Sequence, residues 1–284
     1  MRLVFTLFTL LVLFAPSSQA DDSNELLQVR LEAHIDFLAD DLLRGRQPGT
    51  EGYDIAAAYV ASQFRQMGLQ PAGSNGSYFQ PVPLRRAWLN EGSATMELLR
   101  NGEAHPFEYV EEFYRGASLA HTESDLRAEM VFAGYGIHAP ALDYSDLEGL
   151  DLDGKIVVTL AGQPVDFPSE EGAHFASGRE IRKNLAGRGA VGMITIHTPR
   201  SEKRFAWNRI ESLVGTPSMG WLSQNGEVFA AFPTLLGGAV VRSSAAAVLF
   251  DGAEVSLDTL LDRDEAGQPL PTFDLEGEVR LTQS

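Results

Sequence analysis

The sequence predicts an α+β protein: a small helical opening followed by a mostly β domain with flanking helices. Two features carry this. Up to about residue 67 the apolar positions recur every three or four residues, the helical period, whereas beyond about residue 94 they fall in short runs separated by turn signals. Neither an internal repeat nor a low-complexity tract interrupts this pattern.

Arg2, the apolar run Leu3–Phe14, Pro16 and the small-residue pattern Ser18-Gln19-Ala20 read as a secretory leader spanning 1–20. The run is shorter than the roughly 20 residues needed to span a bilayer, so cleavage after Ala20 is favoured over retention as an anchor. The expected destination is therefore outside the cytoplasm, periplasmic or extracellular, with no membrane span after cleavage. The remaining chain suffices for one large or two modest domains.

Leu27, Leu31, Ile35, Leu38 and Leu42 form an apolar stripe and predict a helix over 24–43. The run Arg44-Gly45-Arg46-Gln47-Pro48-Gly49-Thr50-Glu51-Gly52 must be loop. A second helix follows from about Tyr53 to Met67, with Gly68 placed for a left-handed cap. Residues 78–84 read as an extended edge strand, since their prolines cannot donate to a central ladder. Asn101-Gly102, between the runs 95–99 and 105–109, signals a hairpin. Strand-like runs lie near 129–133, 155–160, 191–196 and 234–236, with helices at 179–187 and 243–249 and a final alternating strand at 273–281. These features organise the chain as leader 1–20, helical segment 21–93 and mostly β domain 94–284.

Composition excludes several functions. The chain has no cysteine, which removes disulfides, thiolate metal sites and a Cys nucleophile. Its net charge is −17, one unit more negative once Arg2 leaves, and such a surface repels phosphate backbones and anionic lipid. Nucleic acid is not an expected partner.

The stretch Leu38-Ala39-Asp40-Asp41-x-Leu43-x-Gly45-Arg46-x-x-Gly49-Thr50-x-Gly52, followed by a helix, Met67-Gly68-Leu69-Gln70-Pro71-Ala72-Gly73 and Tyr78-Phe79-Gln80, resembles the opening of the secreted aminopeptidases of metallopeptidase family twenty-eight. The second part is similar to the protease-associated domain that many members insert before their catalytic core. It carries Phe132-Ala133-Gly134-Tyr135-Gly136-Ile137, Asp143-Tyr144-Ser145-Asp146-Leu147, Leu152-Asp153-Gly154-Lys155-Ile156-Val157-Val158, Lys183, Ala186 and Gly189-Ala190-Val191-Gly192-Met193-Ile194. The resemblance implies a sandwich-like inserted domain beside a catalytic α/β domain. It implies two zinc ions and peptide hydrolysis from the N-terminus in the complete enzyme. The family's ligand set, opening with His-x-Asp after a buried strand, has no counterpart here, so neither catalytic nor metal residues carry over and no cofactor is expected in this chain. The expectation is an inactive N-terminal portion of an exported aminopeptidase, whose partners are peptides or the missing catalytic domain. The alternative is a stand-alone peptide- or protein-binding module.

Several residues imitate sites. His34 and Asp36 have the His-x-Asp form but lie mid-helix, where residues two apart point about 200° from each other. His197 ends an apolar run without an acid before Glu202, which favours a loop histidine. Gly134-Tyr135-Gly136 imitates a dinucleotide fingerprint, yet Pro140 interrupts the helix that would hold pyrophosphate. Ser218 lacks the spacing of a nucleophile elbow, and Glu170-Glu171 reads as solvated. Arg44 and Arg46 suit a tight turn better than a cleft rim. Lys203, Arg204, Phe205, Trp207 and Arg209 form a candidate contact surface.

Overall fold

A computed structural model describes residues 19–284. The chain divides into two compact units, the first ending at Pro81 and the second spanning Val82–Ser284. The expected leader lies, but for its last two positions, outside the described residues.

The first unit holds α1 (Gln19–Ala39), a 3-10 turn (Asp41–Leu43) and α2 (Glu51–Gln66). Helix α1 stops at Ala39, short of the expected residue 43. Asp40 caps the next turn instead, accepting from the Leu42 amide at 2.8 Å. The helices pair through Tyr59, which stacks on Phe37 at 4.2 Å and whose hydroxyl meets His34 Nδ1 at 2.7 Å. The apolar stripe does not make this pairing: Leu31 is 53% exposed, Ile35 64% and Leu42 86%. Between the helices the loop folds tightly, because a Cβ at Gly52 would collide with the carbonyl oxygens of Leu43 and Gly45. Gly68 has φ +76° and the Leu69 amide donates to the Phe64 carbonyl at 3.1 Å, closing α2 as a left-handed cap does.

The second unit begins with β1 (Leu84–Ala87), β2 (Thr95–Arg100), β3 (Glu103–Pro106) and β4 (Phe113–Tyr114). It continues with β5 (Ser124–Ala133), β6 (His138–Ala139), β7 (Tyr144–Ser145) and β8 (Ile156–Leu160). Then come α3 (Ser169–Phe175), α4 (Gly178–Ala186), β9 (Gly192–His197), α5 (Pro199–Arg204) and α6 (Trp207–Glu211). The last elements are β10 (Ser218–Trp221), β11 (Gly237–Arg242), α7 (Ser243–Ala246), α8 (Leu257–Glu265) and β12 (Thr272–Gln283).

Eight strands form one mixed sheet in the order β3-β2-β12-β5-β8-β9-β11-β4, in which β5, β8, β9 and β11 run parallel and the rest antiparallel. The α+β class is as expected, but the strands build a single curled sheet where a sandwich would need two stacked ones. The curl is visible in one bond: Arg115, just past the outermost strand β4, donates from Nη1 to the Thr282 carbonyl of β12 at 3.1 Å. Parallel strands joined through helices are covered on both faces, and every residue of β8 is buried. The inner face carries Leu126, Met130, Ile156, Ile194, Val241 and Leu281, all in the core.

Three expectations shift. The 78–84 strand moves to β1, which pairs antiparallel with β10 inside the second unit. Residues 234–236 are not a strand; pairing with β9 begins at Gly237, where a side chain would press on Leu126 at 2.9 Å. The final strand is central, flanked by β2 and β5, with its exposed positions on one face only. The hairpin of β2 and β3 turns at Asn101 and Gly102 as read, with Asn101 at φ +53°.

Candidate functional site

The outer face of the parallel strands forms the floor of a cleft of about 710 Å³. Ladder register places Thr159, Thr195, Val240 and Tyr114 in one row across β8, β9, β11 and β4, and Met193 beside Gly238 in the next. The period of two sends these side chains away from the core that Ile156, Ile194 and Val241 fill. Thr159 and Thr195 hydroxyls lie 3.4 Å apart. Ile181 and Arg182 of α4 form one wall, the segment Arg115–Leu119 another, and Ser218–Met219 of β10 with Ala230–Ala231 a third.

The lining contains two arginines and no acidic residue, although the protein has 39 Asp and Glu. Arg115 is 6% exposed and its Nε has no acceptor. Burial pushes its guanidinium down to about 10. Arg182 is exposed and lies across Gly178, 3.4 Å from where a Cβ would stand. No carboxylate pairs with either arginine among the described residues. Gln283, at another point of the lining, keeps a buried Oε1 without a donor. At the rim Phe229 and Trp221 stack at 4.5 Å, both about half exposed, with the Arg179 guanidinium over Phe229.

The imitating motifs resolve into structure. Asp146 fills the space where an anion would sit in the Gly134–Gly136 turn, accepting from the Tyr135 and Ile137 amides at 3.0 Å and from the Tyr144 hydroxyl at 2.6 Å. Its burial outweighs these bonds and raises its carboxyl to about 6. His197 is not a loop histidine: it ends β9, is buried and bonds Glu202 at 2.9 Å, and that carboxylate also accepts from the Trp207 amide. Ser201 gives its hydroxyl to the Thr198 carbonyl at 2.8 Å within the first turn of α5, which Thr198 itself caps, so this Ser-His-Glu grouping is part of the local helix structure. Trp207 is fully buried, its Nε1 donating to the Val110 carbonyl at 2.8 Å, and leaves the candidate contact surface. Of the remainder, Lys203 pairs with Glu265 and Arg209 lies over exposed Phe205. Glu170 and Glu171 are exposed on α3. Arg44 has φ +50° and its main chain closes the 3-10 turn. Ser218 lines the cleft, which has no histidine in its lining.

Among the described residues no three His, Cys, Asp or Glu side chains converge to hold a metal ion. The zinc pair implied by the family resemblance therefore has no fitting donor set in them. No described helix is long and apolar enough to cross a membrane. Sequence reasoning missed the cleft because its residues come from nine separate segments, and only the strand pairing lines up its threonines.

The fold defines an α+β domain with a cleft on one face of its sheet, preceded in the chain by a helical pair. No known protein family and no curated protein matches the chain. Among solved structures it is similar to an aminopeptidase from Aneurinibacillus sp. strain AM-1, at 19% identity over 88% of this chain and 45% of that one, with a TM-score of 0.37. A zinc aminopeptidase from Bacillus subtilis is similar at 16% identity over 89% of this chain and 42% of that one, with a TM-score of 0.28. The chain spans less than half the length of either.

Proposed function

We propose that the chain is the opening segment and protease-associated domain of an exported zinc-dependent aminopeptidase, and that the second unit contributes peptide binding while hydrolysis belongs to residues outside this chain. Two zinc ions would act there, not here. The observation that carries the reading is how the approach to β2 meets the far end of β12. The Asn90 amide donates to the Ser284 carbonyl at 2.9 Å and the Ser93 hydroxyl bonds the same oxygen, so these two distant points of the chain lie side by side. A domain built that way can sit within a host without deforming it. The ordered motifs from Leu38 to Gly52 and from Phe132 to Ile194 add sequence support.

The test is to follow the reading frame past the Ser284 codon and assay its full product on aminoacyl-anilides with and without chelator. The expected result is a downstream His-x-Asp and chelator-sensitive turnover. A natural product ending at Ser284, exported and stable, would replace this reading with a stand-alone peptide-binding module, which the acid-free cleft also favours.

A further inference from the structure

The cleft has a chemical bias that its location alone does not explain. In a protein of net charge −17, a pocket whose charged lining residues are both arginines is a local inversion of the surface potential. One of the two is buried. A guanidinium taken out of water without a counter-charge is a costly feature; Arg115 keeps a neutral carbonyl as its acceptor at Nη1 and has none at Nε, which points to a missing partner. The floor supplies the half-buried Thr195 hydroxyl and the apolar Met193 and Val240, and the α4 wall adds Ile181, which together suit an extended chain of small or apolar residues.

We propose that the cleft captures a carboxylate carried by a peptide, with Arg115 and Arg182 as its charge partners and the Thr195 hydroxyl on the floor beside them. This rests on reading the cleft as a peptide-binding surface. Guanidinium groups recognise carboxylates through paired N–H donors of fixed geometry, and an acid-free lining both attracts that group and repels cations. The peptide's free C-terminus and an acidic side chain present the same chemistry.

Fluorescence anisotropy on the purified chain tests this with three dye-labelled hexapeptides of small and apolar residues: one with a free C-terminal carboxylate, the same peptide amidated, and an amidated version with one internal glutamate. The expected result is binding of the first or third, weakened about tenfold or more in the plain amide. Salt at about 0.5 M should weaken it further, since screening then acts within a few ångströms. Whether the first or the third binds identifies the source of the carboxylate. Arg182→Gln, at an exposed position whose change spares the fold, should lose about tenfold for the binding peptide and nothing for the amide. Thermal melts verify that the variant is folded. Equal affinity for all three peptides, or no loss in R182Q, overturns the carboxylate assignment while leaving peptide binding intact. Absence of binding by any peptide overturns both.

Discussion

Arg115 Nη1 stands 3.1 Å from the Thr282 carbonyl, joining the residue after one edge strand to a strand five places away in the same sheet. The bond ties the curl together, yet the guanidinium that makes it is buried without a counter-charge. Replacing such a group by an apolar side chain of similar length removes its desolvation cost along with the bond. Arg115→Met should therefore change global stability by no more than about 1 kcal/mol while abolishing peptide binding. Urea denaturation beside anisotropy measures both, and a loss above roughly 3 kcal/mol would show that the residue is kept for the fold alone.

The buried carboxyl of Asp146 gives the protein a pH signature. Its folded pKa of about 6 exceeds the ordinary 3.8, with burial as the main cause, so the native state holds a proton that the unfolded chain has released. The stabilisation this provides is complete below the lower value and disappears as pH rises through the higher one. Between pH 4 and 7 the wild type should lose up to about 3 kcal/mol relative to Asp146→Asn, in which this titration is absent. Denaturant midpoints at both pH values settle it; a constant difference between the two proteins contradicts the assignment.

Gly52→Ala should loosen the first unit selectively. An added methyl must displace the carbonyls of Leu43 and Gly45, and overpacking of this kind costs about 1–3 kcal/mol. Hydrogen exchange should quicken across Glu51–Gln66 and stay unchanged in Ile156–Leu160.

The exposed stripe of α1 and the buried strands of the second unit predict an order of digestion. Helices of this length are marginal in water without a packed face, so limited proteolysis should cut first between Leu43 and Leu89 and leave a resistant C-terminal fragment. Protection of Leu31–Leu42 equal to that of Ile156–Leu160 in a monomer would contradict it.

Elements with strong local signals were legible in the sequence. The Asn101-Gly102 turn dictates its hairpin, and the strand-like run 155–160 announces β8, which the structure buries throughout. Strand β11 was not legible at Gly237-Gly238, because glycine has low strand propensity and is favoured there by the closeness of Leu126 and Leu281 to Gly237 and of the Met193 carbonyl to Gly238. The short helices α5 and α6 were missed for a related reason: they hold their shape through the bonds of Glu202 to His197 and Trp207, partners that sequence order does not reveal as a group. The cleft is a product of register. Thr159 and Thr195 are 36 residues apart and become neighbours only when β8 and β9 align.

Strand β12 is far along the chain from β2 and β5 and lies between them. Until residues 272–283 dock there, the hairpin of β2 and β3 has no edge to join and β5 exposes one side of its ladder. Non-local pairing of this kind is slow, and open ladders are aggregation-prone. Docking of β12 against both neighbours is thus the step that joins the hairpin to the rest of the sheet and commits the second unit to its shape.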